Sequence, residues 1–346
     1  MNIITQFDHY LDESSPAALV VREHLMPVEG EDAVIFPATY AEIGYNIDKH
    51  PAGDIVLIDS VGSQANRIEP IFSEPAYSKL VPHVKIVAGT KEVSLLEASH
   101  RAGDAIVRCS ELQNDLFAAF NASLNGDDSL LARIAPTSLI FGVWDSRETQ
   151  AKKPRLISST IRGYGVRELK RSAQFTPTID YTVAGLEEPT DLRDKDGKAK
   201  GKHPFAQRGF THVPATQTHG GVIANGGIRR DATLALAALR LLHAGSDSAA
   251  TLKLRRYILG LSLVAFTRLP AGYLRQGTIL VLNPDKPREF VEVMPDGKRI
   301  PSVITHEQAL AYAHTAAEAF GVGKDRKEHF SAALAKADLK KKEKAT

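Results

Sequence analysis

The order of strand-like and helix-like segments is the feature that most restricts the fold of this 346-residue chain. Apolar runs bounded by turn residues predict strands at residues 54–62, 155–166, 277–283 and 289–297. Helix-like periodicity separates some of these strands but not others. A doubly wound parallel sheet needs a regular alternation of strand and helix, so the sequence predicts the α+β class instead.

Further elements follow from the same patterns. Residues 33–40 are typical of an edge strand because Pro37 interrupts them, and the run SLIFGVWD at residues 138–145 predicts another strand. Asp231 is the predicted N-cap of a helix that ends near Gly245. The predicted helices cover residues 94–124, 231–245, 252–266 and 306–323.

Bulk composition is that of an ordinary globular protein, with 43% hydrophobic and 24% charged residues. A single cysteine, Cys109, excludes a disulfide framework and a cysteine-based zinc site, and it favours a reducing cytoplasm. The N-terminus lacks the basic and apolar regions of a signal peptide, and the apolar run at residues 259–266 is too short to span a membrane. We therefore expect a cytoplasmic protein without a membrane partner.

Charge is distributed unevenly along the chain, although the formal net charge is only +2. Residues 1–60 contain two basic and eleven acidic residues, whereas residues 141–346 contain thirty-four basic and twenty-one acidic ones. Such a division fits a part that binds a polyanion and an acidic part that faces away from it or meets a basic partner. Two solvated faces of opposite charge fit the numbers equally well.

Residues 141–171 concentrate this positive charge, with eight basic and three acidic residues. The stretch predicts a strand, a basic loop and a second strand, with Tyr164 and Phe175 interleaved among the cations. Basic and aromatic side chains on a sheet suit single-stranded RNA, because charge follows the phosphates and rings stack on bases. The alternative is a solvated hairpin closed by salt bridges. Trp144, in the first strand, is expected to anchor that strand in the core.

Two shorter segments leave alternatives open. Residues 220–232 place Arg229 and Arg230 after a glycine-rich turn and before the predicted helix, where they can clamp a phosphate. A flexible turn before a core helix explains the same pattern better. Residues 63–69 place polar side chains after a predicted strand, which fits either a binding site or a local hydrogen-bond network.

Enzyme signatures are missing from the sequence. There is no phosphate-binding GxxxxGK[ST] motif, no GxSxG nucleophile motif and no dinucleotide-binding GxGxxG motif. His100 lies beside Arg101 but has no recognisable orienting partner, and the histidines of the loop at residues 185–221 are irregularly spaced. We therefore expect no catalytic residue, no metal and no cofactor. The loop itself is too long for an ordinary connection, which indicates a functional projection or disorder.

Several motifs, in this order, resemble a known family. They are SVGSQANRIEP, SLLEASHRAGDAI, RIAPTSLIFGVWDS, SSTIRGYGV, RSAQFTP and THVPATQTHGGVIANGGIRRDA. Together they look like the backbone subunit of type I-G (formerly I-U) CRISPR Cascade complexes, a member of the RAMP superfamily. The resemblance runs from about residue 54 to just beyond Arg230.

The resemblance implies a single domain over residues 1–346, built as a modified RRM (ferredoxin-like) palm with insertions. Residues 185–215 become the candidate for a projecting thumb. Residues 324–346 are a basic C-terminal tail, whose lysine-rich end LKKKEKAT (residues 339–346) we expect to be frayed. Backbone subunits of this kind bind the guide (crRNA) and stack head-to-tail along it as a helical filament. The guide, rather than the protein, recognises the target DNA strand by base pairing.

The resemblance also implies the partners and the absence of catalysis. The partners are crRNA, the target strand through the guide, copies of the same chain and other Cascade subunits. Type I members are not nucleases, so RNA binding without cutting is expected. Two alternatives remain: an endonuclease that processes CRISPR repeat RNA with His100 or His219, and a structural protein whose basic stretch meets an acidic protein.

Charge and motif position select the candidate RNA-binding residues. Arginines supply the expected phosphate contacts, polar residues the supporting contacts to sugar or phosphate, and two lysines the outer side of the RNA. In that order, the candidates are Arg67, Arg101, Arg155, Arg162, Arg171, Arg229 and Arg230; Gln64, Asn66 and His100; and Lys152 and Lys153.

Overall fold

The structure is a computed structural model that describes residues 2–186, 204–269 and 271–342. The strands are β1 (Ala18–Pro27), β2 (Thr39–Tyr40), β3 (Gly44–Tyr45), β4 (Ile47–Asp48), β5 (Ile55–Asp59), β6 (Val84–Ala88), β7 (Lys91–Ser94), β8 (Val143–Trp144), β9 (Lys152–Lys153), β10 (Ile157–Tyr164), β11 (Val166–Phe175), β12 (Val213–Ala224), β13 (Ile228–Ala235), β14 (Tyr273–Arg275), β15 (Thr278–Leu282), β16 (Glu289–Val293), β17 (Arg299–Pro301) and β18 (Arg326–His329).

The α-helices are α1 (Val61–Ile68), α2 (Ala105–Arg108), α3 (Gln113–Leu124), α4 (Ser129–Ile134), α5 (Pro136–Phe141), α6 (Pro204–Gln207), α7 (Leu236–Leu239), α8 (Ser248–Thr267), α9 (His306–Phe320) and α10 (Ala332–Lys342). Short 3₁₀ turns cover Ile3–Thr5, Asp8–Tyr10, Glu69–Ser73, Ser78–Leu80, Leu95–Glu97 and Arg101–Gly103.

The main sheet has the strand order β14-β15-β1-β13-β10-β5-β4, and β16 also pairs with β1. All of these pairings are antiparallel. In chain order, the central elements are β1, an insertion that contains α1–α5 and the strands β2–β9, then β10, β13, α8 and finally β15 and β16. In the sheet, the fourth of these strands (β15 and β16) lies beside the first (β1), the third (β13) lies on the other side of β1, and the second (β10) lies beyond β13. This is the βαββαβ arrangement of RRM and ferredoxin-like domains, which confirms the predicted α+β palm.

One face of the central strands is buried and the other is partly open to solvent. Burial alternates residue by residue along β1 and β13, as expected when a sheet packs on one side only. On the closed face, Leu19, Val21 and Leu234 join the core that contains α8 and α9. A second, smaller apolar cluster lies under Leu25 and Ile228, at the other end of the same strands.

A two-stranded ribbon of β11 and β12 continues from the β10–β13 hairpin. Gly165, with a φ of +57°, lies where β10 passes into β11. The described residues of the predicted thumb (185–215) follow the end of β11 at Phe175 or lead into β12 at Val213, at the far end of this ribbon. Its residues 187–203 are outside the described part of the chain.

Local predictions from the sequence were partly right. The strands at residues 55–59, 157–164, 278–282 and 289–293 and the helices at residues 248–267 and 306–320 are confirmed. Residues 33–40 contribute only an isolated bridge at Ile35 and the short β2. The predicted helix at residues 94–124 is broken into 3₁₀ turns, α2 and α3. In the basic C-terminal tail, β18 pairs with β6 and α10 follows it as far as Lys342; residues 343–346, in the part predicted to be frayed, are outside the described residues.

Two predicted elements have the opposite type. The residues SLIF of the predicted strand lie in the helix α5, which begins at Pro136, ends at Phe141 and is buried over all six residues; Val143 and Trp144 form the two-residue strand β8. An apolar run that is buried on every side carries no periodicity that distinguishes a helix from a strand. Residues 228–235 form β13 instead of opening a helix, so Asp231 is not an N-cap.

Candidate nucleic-acid interface

A small hairpin made by β8 and β9 forms one wall of a basic cleft. Trp144 pairs with Lys152, and Val143 pairs with Lys153. The cleft has a volume of about 560 Å³. Five of the twelve candidate residues line it, and Arg108, Arg147 and Trp144 line it as well. The five are His100, Arg101, Lys152, Lys153 and Arg155.

Asp145 fixes the loop that joins the two strands of this hairpin. Its buried carboxylate accepts hydrogen bonds from the backbone N–H groups of Arg147, Glu148 and Thr149 and from the Thr149 hydroxyl. Together these bonds hold the pKa of the Asp145 carboxyl below its usual value, against the opposing effect of burial, which is the largest single influence. The loop that carries Arg147 is therefore preorganised by a residue that does not face the cleft.

The cations of the cleft differ in whether the protein already neutralises them. Lys153 Nζ lies 2.6 Å from the Asp128 carboxylate, and Arg108 Nη1 lies 3.2 Å from that of Asp338. By contrast, no carboxylate of the described residues forms an ion pair with any of three other cations. These are Arg147, Lys152 and Arg155. The cleft therefore presents positive charge that is available to an anionic ligand.

Arg101 lies at the base of the cleft but serves a different role from the predicted phosphate contact. It is 2% exposed, and its Nε lies 2.7 Å from the Glu69 carboxylate. Its other nitrogens donate to the Gly142 carbonyl and to Asn66 Oδ1, both at 3.2 Å. A buried guanidinium with these partners joins α1 to the base of the hairpin. Asn66, also a candidate contact, is the acceptor of one of these bonds.

The structure also corrects the prediction that Trp144 is buried. The sequence placed it in the core, but 56% of its surface is exposed. The Lys152 ammonium lies 5.6 Å from the centroid of the indole ring, in a cation–π contact. The ring therefore borders the cleft instead of anchoring a core strand.

The open face of the sheet carries a second group of candidates. Arg162 on β10 is directly opposite Arg229 on β13. Arg229 Nε donates to Asp231 at 2.9 Å, and its guanidinium lies 4.8 Å from the centre of the Tyr164 ring. Among the described residues, Arg162 donates to the Thr160 hydroxyl and to no carboxylate. The Asp231 carboxylate partly neutralises Arg229, and Arg162, which forms no ion pair within the described residues, is the cation of this face that is available to an anionic ligand.

Gln64 and Arg67 belong to a network around buried Asp59 at the end of β5. Gln64 Nε2 and Arg67 Nε donate to Asp59 Oδ2 at 2.6 and 3.1 Å, and Arg275 Nη2 donates to Oδ1 at 3.0 Å. Gln64 also accepts from the Ser159 hydroxyl. This matches the local-network alternative for residues 63–69. Sequence reasoning missed Arg275, which lies more than 200 residues from Asp59 in the chain.

Arg230 is not a surface cation. It is 3% exposed, and its Nε lies 3.1 Å from the Glu23 carboxylate of the neighbouring strand β1. Arg288 pairs with the same carboxylate at 2.8 Å. Arg230 is on the closed face because it is adjacent in sequence to Arg229, and neighbouring residues of a strand point to opposite faces. It stabilises the sheet and cannot reach a ligand on the open face.

Arg171 lies on the ribbon, apart from the cleft. It is exposed, and its guanidinium lies 5.1 Å from the centre of the Phe36 ring. His219, on the paired strand β12, packs against Tyr45 with ring centroids 4.8 Å apart. The ribbon and the cleft therefore place the two candidate catalytic histidines, His100 and His219, on different elements.

Within the residues that the structure describes, no group of three histidine, cysteine, aspartate or glutamate side chains is arranged to hold a metal ion. In the same ranges, no helix combines the length and the apolar character needed to cross a membrane. The cleft beside the β8–β9 hairpin is a concave site in the described part of the chain that contains the unpaired cations Arg147, Lys152 and Arg155.

Comparison with known proteins connects this part of the chain to a family. Residues 19–168 match the family model described as CRISPR-associated protein GSU0053. The matched segment begins in β1, contains the whole basic cleft and β10, and ends at the start of the ribbon. No curated protein matches the chain. Over just under half of its length the protein is similar to a CRISPR-associated family, and this match supports a role in CRISPR defence.

Proposed function

We propose that this protein is the crRNA-binding backbone subunit of a type I CRISPR Cascade complex of the I-G class, and that it binds RNA without cutting it. The observation that carries the proposal is the cleft in which Arg147, Lys152 and Arg155 have no ion-pair partner among the described residues. The sequence resemblance and the family match supply the kind of RNA.

Phosphate is the ligand chemistry that suits this cleft. An RNA backbone carries one negative charge per nucleotide, and each phosphate neutralised by a lysine or arginine releases counterions. Cations that form no internal ion pair exchange only water for the phosphate, so they contribute more to binding than cations that must first leave a carboxylate. Cleft binding is therefore expected to depend on salt and to be largely independent of base sequence.

A path for the RNA follows from the position of β10. Arg155 precedes this strand at the cleft, and Arg162 and Tyr164 are near its other end. Seven residues of extended strand span about 23 Å, so the two cationic sites are several nucleotides apart. We propose that the guide passes from the cleft across the open face of the sheet towards the ribbon. Single-stranded RNA is bound in this way by sheets of RRM domains.

The assembly is proposed on the same basis. Copies of the chain stack head-to-tail along one guide, other Cascade subunits complete the complex in the cytoplasm, and the guide pairs with the target DNA strand. Head-to-tail contacts use two different surfaces of each copy and generate an open helix. The dependence of this arrangement on RNA makes RNA binding the first property to test.

The experiment compares two triple variants by fluorescence anisotropy with a labelled repeat–spacer RNA. Replacing Arg147, Lys152 and Arg155 with alanine removes three unpaired cations from the cleft. We expect a large loss of affinity, and the slope of log K against log salt concentration falls by about 2, since each lost contact to a single strand removes about 0.7.

The matched control replaces three cations that form ion pairs away from the cleft: Lys85, Arg299 and Lys327. It changes the net charge equally but is expected to retain most of the affinity and the salt slope. Equal losses in the two variants would show that only net charge matters and would overturn the proposed site. The length of the RNA recovered after incubation tests the absence of cutting, because cleavage at fixed positions contradicts a purely binding role.

A further inference from the structure

Trp144 is exposed in a way that the fold does not require. It is the only tryptophan in the chain, and 56% of its surface is open to solvent at the border of the cleft. Tryptophan is usually largely buried, because its ring contributes more apolar area than any other side chain. An exposed ring beside unpaired cations indicates a ligand that has both an aromatic face and negative charge.

The surrounding structure holds the backbone of Trp144 in one place. Trp144 is paired with Lys152 across the β8–β9 hairpin, and the Asp145 carboxylate fixes the turn that follows it. Gly103 packs against the other side of the hairpin so closely that a Cβ there would lie 2.8 Å from the Trp144 carbonyl oxygen. A ring on a supported backbone loses little conformational freedom on binding.

We propose that Trp144 stacks on an unpaired base of the RNA whose phosphates occupy the cleft. This inference rests on the proposed function and specifies it: the cleft takes single-stranded nucleic acid with a base free to leave its neighbours. The Lys152 ammonium, 5.6 Å from the ring centroid, is placed to contact the phosphate next to the stacked base. Stacking on an aromatic side chain is tolerant of sequence, since every base has a π face.

The single tryptophan makes the proposal directly measurable. Its emission is followed while the protein is titrated with a 12-nucleotide poly-U strand, and binding of the labelled strand is followed in parallel by anisotropy. We expect binding to quench the emission of Trp144. An oligomer with the same number of phosphates but abasic sugars is expected to bind without this quenching, because it supplies charge and no ring.

Two substitutions test the role of the ring. Trp144→Leu is expected to weaken binding of poly-U about ten-fold, and Trp144→Phe to retain most of the affinity. Neither changes charge, so the salt slope is expected to stay the same in both. Phe117→Leu is the matched control, because Phe117 is similarly exposed (49%) but lies on α3 and does not line the cleft.

The outcomes separate the two proposals. Poly-U binding with unchanged emission, or equal affinities of wild type and Trp144→Leu, overturns base stacking and leaves RNA binding intact. Equal quenching by the abasic oligomer also overturns it, because charge alone then explains the signal. Failure to bind any single-stranded RNA overturns the proposed function, and the stacking proposal with it.

Discussion

Arg101 and Glu69 show how single residues prepare the cleft without being the expected ligand contacts. Their charged groups are 2.7 Å apart, and both residues are almost fully buried. Arg101 also has a φ of +53°, a left-handed conformation that is uncommon for any residue except glycine. Strain of this kind persists only where the surroundings fix it, and here the surroundings are the base of the cleft.

The buried carboxylate predicts how stability depends on pH. Burial raises the pKa of Glu69 to about 7, although the Arg101 guanidinium acts in the opposite direction. In the unfolded chain this carboxyl titrates near 4.5. The folded state therefore holds a proton that the unfolded state releases, and the free energy of unfolding falls as the pH rises from about 4.5 to 7.

Urea unfolding of wild type and Glu69→Gln at pH 4.5, 5.5, 6.5 and 7.5 tests this. Because glutamine cannot ionise, the stability of wild type relative to the variant is expected to decrease with pH across this window, by on the order of 3 kcal/mol in total. Parallel pH profiles for the two proteins would contradict the raised pKa. The comparison does not depend on RNA, so it tests the base of the cleft by itself.

The charge pattern of the sequence indicated where the cleft lies, but not which of its cations form ion pairs. Residues 141–171 supply most of its positive wall, as the density of lysine and arginine indicated. Lys153 is neutralised by Asp128 and Arg230 by Glu23, however, and each carboxylate comes from an element that only folding brings close. Arg147 was visible in the basic stretch but was not selected, because the sequence does not show which cations remain unpaired.

At the level of elements, β13 shows where local patterns were misleading. Its residues pair with β1 on one side and with β10 on the other, so two ladders of backbone hydrogen bonds outweigh the helix preference of an alanine- and leucine-rich segment. Every second residue of β13 is buried: Ile228, Arg230, Ala232 and Leu234. Three of these four are apolar, so the sequence does contain most of the alternation that is typical of a strand. It was obscured by two adjacent arginines, of which one is buried by an ion pair.

The junction between sheet and ribbon yields a prediction about backbone contact. A Cβ on Gly226 would lie 2.9 Å from the carbonyl carbon and oxygen of Tyr164, so the two chains cannot accommodate a side chain there without moving. Gly226→Ala is expected to destabilise the protein by about 1–3 kcal/mol. Urea unfolding measures the change.

Gly62→Ala is the matched control for this substitution. Gly62 lies in α1, and a Cβ there would meet open space. The same chemical change is expected to be neutral or to stabilise the protein by roughly 0.5 kcal/mol, since alanine favours the helix over glycine. If Gly226→Ala were as well tolerated as Gly62→Ala, the close approach at the junction would be wrong.

On the scale of the whole molecule, the order of elements was more predictable than their bounds. Mixed strand and helix patterns indicated an α+β domain, and the resemblance indicated the palm, whose strand order the structure contains. Strand pairing over long sequence distances, such as that of β1 with β13 and β16, has no local signal. The fold also determines which acidic residues of the N-terminal segment are neutralised: Asp8 pairs with Arg256, and Glu31 pairs with Lys286.

The remaining acidic residues define the last prediction, which concerns assembly. Four of those in residues 1–32 are exposed and form no ion pair within the described ranges: Asp12, Glu13, Glu29 and Asp32. If this segment meets a basic face of the next copy along the guide, replacing all four with lysine removes attraction between copies and adds repulsion. Sedimentation velocity of the RNA-loaded protein is expected to show smaller assemblies, with RNA binding by a single copy retained.

A second variant with the same change in net charge isolates the effect of position. It replaces four exposed acidic residues outside the N-terminal segment with lysine: Glu97, Asp285, Glu307 and Glu318. Both variants are expected to bind RNA more tightly at low salt, because each gains the same positive charge. Only the N-terminal variant is expected to lose the larger assemblies. Identical sedimentation of the two variants would show that the acidic segment does not contact a neighbouring copy, and its charge would then serve only to keep RNA on the opposite, basic part of the molecule.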